Sequence, residues 1–335
     1  MSASHREVWL QQLSDVVTEP KQLLQILKLD NNHSLLEVLK VRKLFPLRVP
    51  RTFIARMRLS DPSDPLLLQV LITQQELMTV PSYTTDPLQE INYIACPGLI
   101  HKYYNRALLL VKNSCAVHCR YCFRRYFPYQ QNYLTKKNFF SIVQYLHKHS
   151  EIEEIIFSGG DPLLAKDYEL DRIISQLENI PHLKRLRIHT RLPVVIPSRI
   201  TKNLCQILAN TKFIIILVTH INHHQEIDHT LHSSMYSLKK AGVTLLNQSV
   251  LLRGINDNSH KLAKLSNALF NIGILPYYLN MLDKVQGTSH FAVSEEQAKV
   301  IMRDLFSRVS GYLVPTLIRE ENGKKSKIPI DLNFK

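Results

Sequence analysis

The first 97 residues of this 335-residue chain contain no glycine; all nine glycines lie from Gly98 onward. There is no long apolar run either. The most apolar stretch, Phe213 to Val218, is far short of the roughly 20 residues that a membrane-spanning helix needs. Residues Met1 to Leu13 lack the basic-then-apolar pattern of a secretory signal. Five cysteines are too few for a disulfide framework. Acidic residues are also in deficit, 28 against 42 Lys and Arg, for a formal charge of +14. These absences predict a soluble, cytoplasmic protein with no membrane association. The basic balance would attract nucleic acid, acidic proteins or anionic small molecules. The positive residues are spread along the chain rather than gathered in a tail, so direct nucleic-acid binding is not expected.

What is present is a 45% hydrophobic composition, enough for a sizeable core and too much for global disorder. Before Gly98 the apolar residues follow helical spacing: Trp9, Leu10, Leu13, Val16 and Val17, then Leu23, Leu24, Ile26 and Leu27 after Pro20. Ser34 is positioned to cap a helix through Leu35, Leu36, Val38 and Leu39. Residues 1–95 are therefore expected to form a helical N-terminal region. From Arg106 the pattern changes to short apolar runs alternating with amphipathic segments. The predicted strands are Ala107–Val111, Glu154–Phe157, Leu186–His189, Phe213–Thr219, Thr244–Leu251 and Leu275–Met281. Ser198 is the expected cap of a helix carrying Ile200, Leu204, Ile207 and Leu208 on one face. Six βα repeats predict an α/β protein with a parallel sheet. A partial (β/α)6 TIM-like barrel over residues 96–310 fits, with function at the C-terminal ends of the strands. A flat doubly wound sheet has the same sequence pattern. Residues 311–335 carry Leu313–Ile318, a polar Glu320–Lys325 turn and Ile328–Leu332, which predicts a C-terminal hairpin tail.

Three of the five cysteines, Cys115, Cys119 and Cys122, fall within eight positions directly after the first predicted strand. Cys96 and Cys205 stand alone and are expected to be plain buried residues. Three thiolates in a C-x3-C-x2-C loop suit an iron–sulfur cluster with one iron left open to a ligand, since a cluster closed by protein needs four. Tyr121 offers a flat apolar surface beside it. A structural zinc site is the alternative, with His118 as the fourth donor. A second element follows the next strand: in Ser158-Gly159-Gly160-Asp161 the glycines would let a ligand approach the backbone, and Asp161 can accept from an ammonium. This cysteine spacing with its glycine-rich turn resembles the radical S-adenosylmethionine superfamily.

A narrower likeness is carried by Pro97–Tyr103, Arg120–Arg125, Ser158–Leu163, His189–Val195, Thr219–His223 and Asn247–Asp257. In this order the motifs resemble the lysine 2,3-aminomutase family over roughly residues 80 to 330. The tail resembles the branch whose product, (R)-β-lysine, a separate ligase attaches to elongation factor P. The resemblance implies a 4Fe-4S cluster on the three cysteines, S-adenosyl-L-methionine on its open iron, pyridoxal 5'-phosphate, L-lysine as substrate and a reductant such as flavodoxin. It implies that an enzyme lysine anchors the pyridoxal aldehyde: Lys327, two residues before Pro329, with Lys325 as the other choice. It further implies a phosphate site at Lys102, Tyr103 and Arg106. Arg124 would grip the substrate carboxylate, while Asp283 and Glu320 would read its ε-ammonium. His220 and Gln248 would line the cofactor cleft, and Arg191 would reach the methionine carboxylate. A monomer or dimer is expected. A radical enzyme that modifies tRNA shares the cysteine loop and the charge, and is the competing function.

Overall fold

A computed structural model describes residues 7–32, 35 and 45–334. Helices occupy Val8–Ser14, Pro20–Ile26 and Arg51–Ile54 of the N-terminal region. The helix expected after Ser34 lies outside the described residues, apart from Leu35. Val16 and Val17 leave the first helix, and Val17 instead bridges to Val49.

Ten strands form one sheet in sequential order. β1 (Ile94–Cys96) and β2 (Leu99–Tyr103) are antiparallel additions that the sequence pattern did not suggest. The six predicted strands are all present, within one or two residues at each end: β3 (Arg106–Lys112), β4 (Glu154–Gly159), β5 (Arg185–Thr190), β6 (Ile214–His220), β7 (Thr244–Val250) and β8 (Leu275–Asn280). They pair in parallel, each with the next. Covering helices follow each strand in turn: Lys136–Lys148, Asp167–Leu177, Lys202–Asn210, His229–Lys240, Ser259–Asn271 and Glu295–Arg308. The tail adds β9 (Thr316–Arg319), parallel to β8, and β10 (Ile328–Pro329), antiparallel to β9, as the predicted hairpin. No pairing of β1 with β10 closes the sheet among the described residues. The architecture is thus α/β, a partial barrel rather than a closed one.

One buried cluster joins Trp9, Leu23, Leu27 and Phe53 to Leu109, Phe157, Leu186 and Leu217 of the strands, so the N-terminal helices share the sheet's core. A second cluster packs Leu279 and Leu317 under the last helix. The cap of Lys202–Asn210 is Thr201, not Ser198: the Thr201 hydroxyl accepts from the Leu204 amide at 2.9 Å, while Ser198 donates to Gln12. Cys96 and Cys205 are half-buried against the core edge rather than fully inside it.

Candidate functional site

The strands end at one cleft of ≈450 Å3 that collects residues from β2 through the C-terminal tail. Cys115, Cys119 and Cys122 line it, as do Ser158, Gly159, Gly160, Asp161, Arg191, His220, Gln248, Asp283, Glu320 and Lys327. Residues 200 positions apart in sequence share this space because a parallel sheet delivers every strand's C-terminal end to the same side.

At one end sits the cysteine loop. Burial pushes the Cys115 thiol well up, reinforced by Asp161 and the other two thiols, and pushes Cys122 to about 11. Iron would have to displace those protons on binding. His118 is turned out of the cleft: its Nδ1 lies 2.9 Å from the Pro46 carbonyl and its ring stacks on Phe45. The fourth donor that zinc would need is therefore committed elsewhere. Three thiols at one cleft, with open space beside them, fit a cluster with one exposed iron.

The glycine turn has a packing reason as well. A Cβ on Gly160 would lie 2.1 Å from the Ser114 carbonyl oxygen, and Gly159 has φ +116° with a Cβ position 2.4 Å from the Lys112 carbonyl oxygen. The glycines let the turn dock on the cysteine loop, where Gly160 and Asp161 amides donate to Lys112 and Ser114 at 2.7 and 2.8 Å. The Asp161 carboxylate accepts from Leu163, Thr190, Arg191 and Leu192, so it ties this turn to the end of β5.

Arg191 follows β5 directly. Its Nη2 donates to Gln69 at 2.6 Å and Glu226 at 2.9 Å, and its Nη1 to the Tyr121 hydroxyl at 2.5 Å and the Cys119 sulfur at 2.7 Å. Tyr121 stacks on His220, and the Tyr121 hydroxyl lies 2.9 Å from His220 Nε2. Burial, then Arg191, hold the His220 imidazole neutral with its pKa lowered to about 3. Arg124 presents Nε and Nη2 to Glu90 as a two-point pair, both at 2.7 Å, which leaves Nη1 near Ser158 at 3.0 Å. Burial alone would lower the Arg124 pKa, but Glu90 more than reverses that. Glu76 takes Arg120 by the same two-point pairing and accepts from Arg125 Nη2 at 3.0 Å. Sequence reasoning missed Gln69, Glu76 and Glu90, because nothing local marks an N-terminal carboxylate as the partner of a loop arginine.

The other end is built by β2, β8 and the tail. The Lys327 amine lies 3.3 Å from Asn280 Oδ1, 3.8 Å from Glu320 and 5.4 Å from the Tyr278 ring centre. Burial lowers its pKa despite Glu320 and Asp283. Lys324 and Lys325 are exposed and do not line the cleft. Glu320 also accepts from Lys102 at 2.8 Å and Tyr103 at 2.9 Å. Burial raises the Glu320 pKa, but Lys327 and Lys102 outweigh that and hold it low. Burial and Glu320 push Asp283 up to about 7. Arg106 stacks 4.4 Å over the Tyr103 ring, and Arg187, missed in the sequence, lines the same wall. An amine whose charge burial disfavours, with three cations along the wall, fits an aldehyde cofactor bearing a phosphate.

A sheet of this kind with three thiols at its mouth fits a radical S-adenosylmethionine enzyme, and the Radical SAM superfamily matches residues 109–265. The relatives narrow the class. The L-lysine 2,3-aminomutase of Escherichia coli strain K12 is 56% identical over 335 residues, covering 100% of this chain and 98% of that one. That of Buchnera aphidicola is 55% identical over 99% of this chain and 98% of its own length. The Clostridium subterminale enzyme is 37% identical over 82% of this chain and 66% of its own. This chain belongs to the L-lysine 2,3-aminomutase family and is an isomerase. The family implies the cluster and S-adenosylmethionine, and nothing in these likenesses favours the tRNA-modifying alternative. No helix among the described residues is long and apolar enough to cross a membrane.

Proposed function

We propose that the chain is a pyridoxal phosphate-dependent L-lysine 2,3-aminomutase that makes (R)-β-lysine in the cytoplasm for attachment to elongation factor P by a separate ligase. The observation that carries the reaction is that Lys327 and the three cysteines share one cleft. The link to elongation factor P rests on the resemblance of the tail. In this reading residues 96–310 form the catalytic barrel, residues 1–95 supply carboxylates that pair with the cysteine loop's arginines, and residues 311–335 carry Lys327.

When bound, the cluster and S-adenosylmethionine supply a carbon-centred radical, and pyridoxal phosphate supplies a π system joined to the substrate nitrogen. The chain's own residues do the rest. Cys115, Cys119 and Cys122 would hold the cluster. Lys327, whose charge burial disfavours, would hold the pyridoxal aldehyde through its amine. Lys102, Tyr103, Arg106 and Arg187 would hold the phosphate, with Lys102 and Tyr103 leaving Glu320 to do so. Arg124, oriented by Glu90, offers Nη1 to the lysine carboxylate. Asp283 and Glu320 favour a cation at the far end of the substrate and so select lysine over a neutral or acidic amino acid. A flavodoxin-type reductant delivers the electron.

Anaerobic turnover tests the reading. The reconstituted protein is given pyridoxal phosphate, S-adenosylmethionine, dithionite and L-lysine, and β-lysine is sought by chromatography. Its formation, lost in Cys119→Ala, is the expected result. Cleavage of S-adenosylmethionine with no β-lysine would overturn the substrate assignment.

A further inference from the structure

Arg191 makes more contacts in the cleft than a ligand-gripping arginine can spare. Its side chain is 7% exposed, and both terminal nitrogens are already used. Nη2 is anchored by Gln69 and by Glu226, which are themselves fully buried and joined to each other through Gln69 Nε2 at 3.2 Å. Gln69 is fixed in turn: its Oε1 also accepts from Asn222, and its backbone carbonyl accepts from the Arg120 amide at 2.9 Å. This frame holds Nη1 against the Cys119 sulfur. Among the described residues only its Nε lacks a partner.

We propose that Arg191 is a positioning residue for the cluster, one that raises the reduction potential through an N–H···S bond to Cys119 while Gln69 and Glu226 hold it in place. The inference rests on the cluster assigned to the three cysteines. Reduction adds one electron to a group that already carries thiolate charge. A cation and a hydrogen-bond donor at a ligand sulfur stabilise the more negative state. Glu226 works in the opposite sense, because its buried charge repels the incoming electron while its carboxylate aims the guanidinium. The two residues therefore predict opposite shifts, which a merely structural role does not. On this assignment the methionine carboxylate is bound elsewhere than at the Arg191 fork.

A potentiometric titration followed by electron paramagnetic resonance reads the midpoint of the reconstituted full-length protein without S-adenosylmethionine. Glu226→Gln is nearly isosteric and removes the buried negative charge, so its midpoint is expected to become less negative than wild type. Arg191→Met in that background removes cation and donor together, so the double variant is expected to titrate more negative than Glu226→Gln alone. Iron and sulfide per chain should match in all three proteins. Equal midpoints with equal cluster content would overturn the proposal. Should the double variant not assemble a cluster, Arg191→Lys keeps the charge but loses the two-point fork. Its terminal iron–thiolate Raman bands should then lose the shift on transfer to D2O that the wild type shows, and an unchanged shift counts against the N–H···S bond. A wild-type protein that never takes up a cluster would remove the radical reading itself, which is a different failure from an unmoved midpoint.

Discussion

At the thiol end of the cleft the polar groups are tied down; at the amine end Glu320 holds Lys102 and Tyr103, but Asp283 and Lys327 are held loosely. Tyr121, Arg191, Gln69 and Asn222 meet one another within 3.2 Å, and all four are buried. Lys327 stands 3.8 Å from Glu320, and the Asp283 carboxylate makes no hydrogen bond among the described residues. The first arrangement resembles a finished mould. The second is a set of charges that balance one another and must exchange partners when ligand arrives. The difference matches the chemistry assigned to each end. A radical precursor needs a fixed, dry seat. A site that receives and releases an amino acid every turnover gains from groups that can change partners.

The largest expected effect comes from removing the one group that the amine end cannot replace. Lys327→Ala should abolish β-lysine formation, by at least about a thousand-fold given the size of covalent contributions to catalysis. It should also remove the visible absorbance of lysine-bound pyridoxal phosphate, read by spectrophotometry of the purified protein. The thiol end should be untouched, so iron content and reductive cleavage of S-adenosylmethionine should persist. Loss of the cluster in this variant would mean that the two ends are not independent.

The next test strains the thiol end at its tightest point. Gly160→Ala places a methyl 2.1 Å from the Ser114 carbonyl oxygen, a backbone atom that cannot swing away. The cysteine loop or the β4 turn must shift. A cost of about 3 kcal/mol or more is expected from overpacking at this position, with iron incorporation falling sharply by colorimetric assay. Pyridoxal binding at Lys327 should survive in whatever fraction folds. Normal iron uptake by Gly160→Ala would show that the dock between turn and loop is softer than its geometry.

How much of each end is legible in the amino-acid sequence depends on whether its signal is local. The cysteines, the glycine turn and all six parallel strands announce themselves locally, through spacing and through runs of apolar residues. The hairpin tail does so too, and it brings Lys327 to the cleft. The partners do not. Glu90 with Arg124, Glu76 with Arg120, and Gln69 with Arg191 pair across 34, 44 and 122 positions, and no period or spacing encodes such a meeting. β1 and β2 escape notice because three- and five-residue strands at a sheet edge leave too short an alternation to register. The place of Asp161 in a motif points it at a ligand, whereas four donors, three of them backbone amides, claim its carboxylate.

A milder perturbation asks whether the amine end is in fact a balance of charges. The Asp283 pKa, near 7 in the folded protein, exceeds that of an unfolded aspartate, about 3.9. The folded state therefore binds this proton more tightly, and the stability it lends is present at low pH and lost as pH rises through about 7. Asp283→Asn removes that titration while keeping the shape. Its ligand-free melting temperature should exceed the wild type's above pH 7 and approach it near pH 4. The same variant should bind lysine worse, with a raised KM at pH 8, since an ionised carboxylate is what the ε-ammonium needs. In the wild type the KM for lysine should rise as pH falls below about 7. A variant less stable than wild type at pH 8 would mean that Asp283 is held by partners rather than strained by burial.

The smallest effect belongs to Lys325, and its smallness is what makes it useful. Lys325 and Lys327 sit two positions apart in the tail, and sequence alone leaves either as the cofactor lysine. Lys325 is exposed in the polar turn, whereas Lys327 lines the cleft under Tyr278 with its amine turned toward Asn280. A surface lysine carries a solvated charge of little energetic consequence, within about 0.5 kcal/mol of alanine for stability. Lys325→Ala should therefore keep the pyridoxal absorbance and change kcat/KM by no more than about twofold, the kinetic equivalent of that energy. The two alanine variants form a matched pair in one hairpin, equal in chemistry and differing in whether the side chain lines the cleft or faces solvent. If absorbance vanishes in Lys325→Ala and stays in Lys327→Ala, the loop before β10 is shifted by two residues. The amine end of the cleft would then have to be rebuilt around the exposed lysine.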